Sequence, residues 1–114
     1  MPLYAAIIYT SDLDWTAPEQ AAEMGEYAEF GQAAAEIMRG GAALFPTATA
    51  TTVRTSAKGG DVVVTDGPYA ETKEVLTGFF LLECTDLDHA IAVAATIPAA
   101  WNGAVEVRPV IPMG

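Results

Sequence analysis

Two stretches of the chain are strongly apolar: Leu3-Tyr4-Ala5-Ala6-Ile7-Ile8-Tyr9 and Thr77-Gly78-Phe79-Phe80-Leu81-Leu82-Glu83-Cys84. Successive side chains of a β-strand point to opposite faces of its sheet, so both stretches predict strands that are apolar on both faces. Exposing such a face to water costs roughly 25 cal/mol per Å² of apolar surface. We therefore expect a sheet that is covered on both sides.

Helix signals follow each of these regions of the chain. Thr16-Ala17-Pro18-Glu19 is typical of a helix start, because Thr16 can cap the helix and Pro18 is tolerated in its first turn. Gly40-Gly41 is typical of its end. Thr85 or Asp86 can cap a second helix, which ends at Pro98. Its predicted buried stripe comprises Leu87, Ala90, Ile91, Ala94 and Ile97.

Shorter strands complete the pattern. Ala42–Phe45 and Val62–Thr65 predict two of them, Thr47–Thr55 predicts an exposed extended segment, and Lys58–Asp61 predicts a turn. Ala104–Pro109 alternates apolar and charged residues, which is typical of a strand with one wet face.

The resulting order, β-α-β-β-α-β with a hairpin in the middle, predicts an α+β ferredoxin-like sandwich. Right-handed crossovers place both helices on one sheet face and leave the other face bare. A second copy of the chain can cover the bare face if the two sheets pack against each other. Symmetric pairing of this kind is the commonest oligomer type. The sequence therefore predicts a homodimer, with a monomer covered by its own loops as the alternative.

Composition limits the possible functions and location. The 114 residues suit one domain spanning residues 1–114, and the net charge of −10 argues against a nucleic-acid partner. No apolar run approaches the roughly 20 residues of a membrane helix, and the start lacks a basic signal region, so we expect a cytoplasmic protein without a membrane partner. Cys84 is expected to be buried and inert, and a lone His89 predicts no metal site and no cofactor.

The densest polar segment is Thr65-Asp66-Gly67-Pro68-Tyr69-Ala70-Glu71-Thr72-Lys73-Glu74. Asp66 would stand at a strand end, where it could act as a general acid or base, and Lys73 could hold an anion. The alternative is a structural turn fixed by Gly67-Pro68. Arg54 and Arg108 are scarce cations that could bind a carboxylate or pair with an acid of this segment.

The same segment resembles the signature of the DGPF branch of the YCII-related proteins, with Tyr69 in place of the usual phenylalanine. Segments Ala50–Arg54, Gly78-Phe79, Asp86–Asp88 and Val105–Pro109 also resemble that branch in order and spacing. The resemblance implies a dimeric α/β barrel, a bacterial source and a link to extracytoplasmic-function sigma factors. It carries no established reaction, and the His–Asp pair proposed for other YCII-related proteins has no counterpart here.

Two function classes stay open. The favoured one is a small-ligand-binding or regulatory dimer, which could have a sigma factor as its partner. The alternative is a metal-independent small-molecule enzyme that uses Asp66 as general acid or base, with Arg54 or Lys73 as electrostatic partner. In either case the candidate ligand-binding residues are Arg54, Gly67, Pro68, Tyr69, Glu71, Lys73 and Arg108.

Overall fold

The computed structural model describes residues 1–113, and these residues form an α+β structure on a four-stranded antiparallel sheet. In chain order the elements are β1 (Leu3–Thr10), α1 (Ala21–Ala33), β2 (Met38–Ala43), β3 (Thr51–Thr55), β4 (Val62–Asp66), β5 (Val75–Glu83), α2 (Leu87–Ala94), the short α3 (Ala99–Asn102) and β6 (Ala104–Pro109). The main sheet has the order β2-β5-β1-β6. This order confirms the predicted ferredoxin-like fold. No helix among residues 1–113 is long and apolar enough to cross a bilayer.

One face of the sheet packs against the helices and forms the core. Along β1 the burial alternates strictly, and Tyr4, Ala6 and Ile8 are the buried apolar set on the helix side. Leu82 of β5 lies opposite Tyr4 and is also fully buried. The alternation follows from the two-residue period of a strand, which sends every second side chain to the same face. From the helix side Phe30, Ala34, Ala90, Ala94 and Ile97 close this core.

The opposite face, which we call the outer face, carries the other half of the same strands. Strand register places Ile7 beside Phe79 on one side and beside Glu106 on the other. Leu3, Ala5, Ile7, Tyr9, Leu76, Phe79 and Leu81 are its apolar members. None of them is fully buried, and Leu76 is 43% exposed. Both central strands are therefore apolar on two sides, as predicted, whereas the helices cover one side.

The end of the first helix and the start of the second strand differ from the prediction. Helix α1 ends at Ala33 and begins after a 3-10 turn at Pro18–Gln20, without a side-chain cap. Gly40-Gly41 lies inside β2, and β2 begins at Met38 rather than at Ala42. A Cβ on Gly41 would stand 2.7 Å from the Phe79 carbonyl oxygen, so the glycine permits close strand pairing. The predicted helix end was wrong because a glycine pair occurs both after a helix and in a strand whose backbone lies close to its neighbour.

The two middle strands of the predicted order pair with each other, as expected, but two further strands lie between them in the chain. In the ferredoxin-like sheet β2 pairs with β5, not with the segment at Val62. Strands β3 and β4 pair with each other in a separate two-stranded sheet. This hairpin, residues 51–66, is therefore an addition between the second and third strands of the main sheet, and we call it the arm.

Helix α2 begins where predicted and buries Ala90 and Ala94 of the predicted stripe, and Ile97 just beyond the helix is also fully buried. The Asp86 side chain accepts a hydrogen bond from the His89 N–H at 2.8 Å, and the His89 Nδ1 accepts one from the Thr85 N–H. Of the predicted stripe, Leu87 and Ile91 are about half exposed, at 49% and 51%. The buried side is rotated toward Ala90, Ala94 and Val93, where the small alanines allow close packing.

Replacing Asp86 by Ala is expected to lower the free energy of unfolding by about 1 kcal/mol, because the cap bond to the first turn of α2 is lost. Urea denaturation at fixed protein concentration measures the effect. Asp88→Ala in the same turn is the matched control, since Asp88 does not cap the helix and contributes at most a few tenths of a kcal/mol through the helix dipole. Equal losses for the two variants would contradict the capping role.

Candidate functional site

The segment from Gly67 to Glu74 leaves the base of the arm as an irregular loop, which we call the signature loop. Gly67 has a φ of 104°, a left-handed conformation that favours glycine. Its N–H donates to the Ala50 carbonyl at 2.8 Å, and its carbonyl accepts from the Thr52 hydroxyl at 2.8 Å. Both bonds join the first residue of the loop to the β3 side of the arm, which supports the structural-turn interpretation of the Gly67-Pro68 pair.

A pocket of about 410 Å³ opens between this loop and the loop after β1. Its lining brings together Asp12, Thr47, Ala48, Gly67, Pro68, Ala70, Glu71, Thr72 and Val75. Asp12 accepts hydrogen bonds from the Thr47 hydroxyl and, at 3.0 Å, from the Thr47 N–H. These bonds hold the pKa of Asp12 below its ordinary value, so the carboxylate is ionised at neutral pH. The pocket therefore presents two carboxylates and two hydroxyl groups, with no basic residue in its lining.

Asp66 lies outside this pocket lining. It is the last residue of β4 and is exposed, and its carboxylate makes no hydrogen bond or ion pair with any residue between 1 and 113. A general acid or base needs a positioned proton partner and a controlled environment, and the described residues around Asp66 supply neither. The enzymatic role of Asp66 stays a prediction.

The two candidate arginines lie far apart in the topology. Arg54 pairs with Val63 across the arm, whereas Asp66 is three residues beyond Val63 and so points to the other side. The guanidinium of Arg54 lies 5.5 Å from the ring centre of Tyr69, a cation–π contact. Arg108 is on β6, where it lies across from Ala5 on the outer face. The structure therefore joins Arg54 to Tyr69 of the signature loop and does not join it to Asp66.

The remaining predicted residues divide between the pocket and solvent. Gly67, Pro68 and Glu71 line the pocket, while Tyr69 is 77% exposed and Lys73 is exposed. Arg108 stands 3.7 Å from Glu106 in an exposed ion pair, which contributes little to stability. Sequence reasoning missed Asp12 and Thr47, although an acid directly after a buried strand was a usable signal.

A second cavity, of about 340 Å³, lies under α1 at the β2 edge of the sheet. Its walls are mainly aromatic and aliphatic: Trp15, Met24, Tyr27 and Phe80 surround small residues of β2 and β5. The Trp15 indole N–H donates to the Thr77 carbonyl at 3.0 Å, and its ring meets Tyr27 edge-on at 5.2 Å. Burial and the nearby Glu23 raise the pKa of Tyr27 to about 12, so the phenol stays protonated.

Cys84 lies in the core, and His89 takes part in the hydrogen bonds at the start of α2. Cys84 is fully buried, and burial together with the nearby Asp86 raises the pKa of its thiol, which confirms the prediction of a buried cysteine. His89 is half-buried and accepts a hydrogen bond at the start of α2. Among residues 1–113, no group of three or more histidine, cysteine or acidic side chains is placed to hold a metal ion.

Comparison with known proteins identifies the family. A protein of Rhizobium meliloti (strain 1021), described only as uncharacterised, is 49% identical over 70 residues, which cover 60% of this chain and 55% of that protein. The match thus spans about half the length of that curated relative. The model of the YCII-related domain family matches residues 3–114, nearly the whole chain. On this match, which agrees with the ferredoxin-like sheet, the protein belongs to the YCII-related domain family.

Proposed function

We propose that the protein is a homodimeric small-ligand-binding protein with a regulatory role, in which two copies face each other through their outer faces and form a dimeric α/β barrel. The observation that carries the dimer is the apolar outer face. Ile7 and Phe79 lie side by side at its centre, and within residues 1–113 the core-forming side chains of the helices pack on the opposite face. Large exposed apolar patches on folded proteins mark interaction sites.

The exposed area of the protomer supports a second copy. The described chain exposes 7556 Å² to solvent, whereas a folded monomer of its 11.9 kDa exposes about 6,000 Å². The excess of about 1,600 Å² is larger than the roughly 800 Å² that each partner loses in a standard interface. A self-complementary pairing would remove this excess without requiring any other protein.

The signature-loop pocket suggests the chemistry of the ligand. Asp12 and Glu71 contribute carboxylates, Thr47 and Thr72 contribute hydroxyl groups, and the pocket volume of about 410 Å³ suits a small organic molecule. Carboxylates accept hydrogen bonds and attract positive charge, so a ligand with an ammonium or another N–H group is favoured over an organic acid.

Small aliphatic amines are expected to raise the melting temperature of the protein, because a ligand that binds only the folded state stabilises it by mass action. Carboxylic acids with the same carbon skeletons are expected to have no such effect. Glu71→Gln removes one pocket carboxylate and should reduce the amine-induced shift by at least about half. Thermal unfolding at a series of ligand concentrations measures these shifts.

Glu74→Gln is the matched control, because Glu74 is an exposed acid three residues away that does not line the pocket. The same shift for wild type and E74Q, with a smaller one for E71Q, supports the pocket. A shift produced by the acids rather than the amines, or an amine shift that E71Q leaves unchanged, would exclude this pocket as the ligand site.

The regulatory part of the proposal concerns an extracytoplasmic-function sigma factor as a cytoplasmic partner. Its support is the resemblance of residues 65–74, which include the signature loop, to a branch linked with such factors. Titration of a purified sigma factor of this class against the protein, followed by size-exclusion chromatography, tests it. Co-elution at micromolar concentration supports a direct partnership, and separate elution excludes it at that concentration.

A further inference from the structure

The arm, residues 51–66, projects from its own protomer. Within residues 1–113, β3 and β4 pair with each other, and neither packs extensively against the main sheet or the helices. The radius of gyration is 16.1 Å, whereas a compact chain of this length has about 13 Å. An isolated two-stranded hairpin is at best marginally stable in water, so the arm needs another surface to pack against.

The two faces of the arm differ in chemistry. Val53 lies opposite Val64, and Val62 lies on the same side, so these three valines form one continuous apolar face. They are 61%, 61% and 62% exposed. The other side carries Arg54 and Val63, and Arg54 contacts Tyr69 of its own protomer. Three of the four valines of the arm thus lie exposed on one face, which makes the valine face the more apolar of the two.

We infer that the arm docks on the second copy, with its valine face against the margin of the partner's outer face, beside the area where the two sheets pack, so that each protomer clasps the other. This inference rests on the proposed dimer and names the arm as the segment that reaches from one copy to the other. Asp66 shares the valine face at the base of the arm.

The length and the charge of the arm favour a second copy of the chain as the surface on which it docks. Each strand of the arm has five residues, or about 17 Å, which exceeds the roughly 10 Å between two packed sheets. The arm also carries two of the five basic residues, Arg54 and Lys58, against two acids, Asp61 and Asp66. It is electrically neutral in a chain of net charge −10, so it approaches an acidic partner with little repulsion.

The test replaces the three valines together by threonine, as V53T/V62T/V64T, which keeps the shape and the strand preference but puts a hydroxyl in place of a methyl. V63T is the matched control, because Val63 is the same residue on the same hairpin, 56% exposed, but on the opposite face. Sedimentation velocity over a dilution series gives the dimer Kd. We expect the triple variant to raise it at least about 100-fold and V63T to change it by less than about threefold.

A second variant guards against local misfolding of the arm. Residues 51–66 are replaced by two glycines, which can bridge the gap because the Gly67 nitrogen lies 2.8 Å from the Ala50 oxygen. A weaker dimer in both the triple variant and the arm deletion supports the clasp. A wild-type dimer whose Kd neither variant changes overturns the clasp but leaves the dimer standing. A wild-type monomer overturns the proposed dimer and the clasp together.

Discussion

Ile7→Lys is expected to convert the dimer into folded monomers, with a dimer Kd raised at least about a thousandfold. Ile7 lies at the centre of the outer face, between Phe79 and Glu106 on the neighbouring strands. In a separate protomer the lysine stem can lie along the sheet while its ammonium pairs with Glu106. In the dimer the same ammonium would be buried in an apolar interface, which costs several kcal/mol when the charge is poorly compensated.

Sedimentation velocity measures the change, and circular dichroism checks that the I7K protomer remains folded. Gln32→Lys is the control, because it adds the same charge at an exposed position of α1, away from the outer face. A folded I7K protein that dimerises as tightly as wild type would mean that the two copies meet through another surface.

Leu82→Ala is expected to lower the free energy of unfolding by about 3 kcal/mol, and no less than about 2 kcal/mol. Leu82 is 1% exposed on the helix side of β5, between Tyr4 of β1 and Met38 of β2. Truncation removes apolar contacts and leaves a cavity that the paired strands on both sides cannot close. Since small domains have a total stability of only about 5–15 kcal/mol, this single change is a large fraction of it.

Urea unfolding at one fixed protein concentration measures the loss, because the stability of a dimer depends on concentration. Leu87→Ala is the matched control at a leucine that is 49% exposed at the start of α2, with an expected loss below about 0.5 kcal/mol. Similar losses at Leu82 and Leu87 would contradict the assignment of the core to the helix side of the sheet.

The sequence predicts the sheet better than its connections, and the reason is physical. The strands Leu3–Thr10 and Val75–Glu83 do not alternate between apolar and polar residues. Their two apolar faces therefore indicate a central position in a sheet. The arm strands Thr51–Thr55 and Val62–Asp66 are short and rich in β-branched residues, a pattern equally suited to a sheet edge or to a projecting hairpin. Which strand each one pairs with is a tertiary property that composition does not encode.

The candidate site was partly predictable. The signature loop could be predicted because glycine, proline and charged residues together are typical of a turn. Gly67 has the left-handed conformation that its position in a turn favours. The contribution of Asp12 and Thr47 to the pocket depends on two loops that meet in space from distant parts of the chain. The separation of Arg54 from Asp66 depends on strand register, which a one-residue slip would reverse.

Sedimentation equilibrium of the wild-type protein at micromolar concentration is the decisive measurement, because the proposed dimer and the clasp both depend on the cover of the outer face. We expect a species with twice the 11.9 kDa mass of the chain. A folded species of 11.9 kDa throughout the concentration range would contradict it, since Ile7, Phe79 and their apolar neighbours would then stand permanently in water.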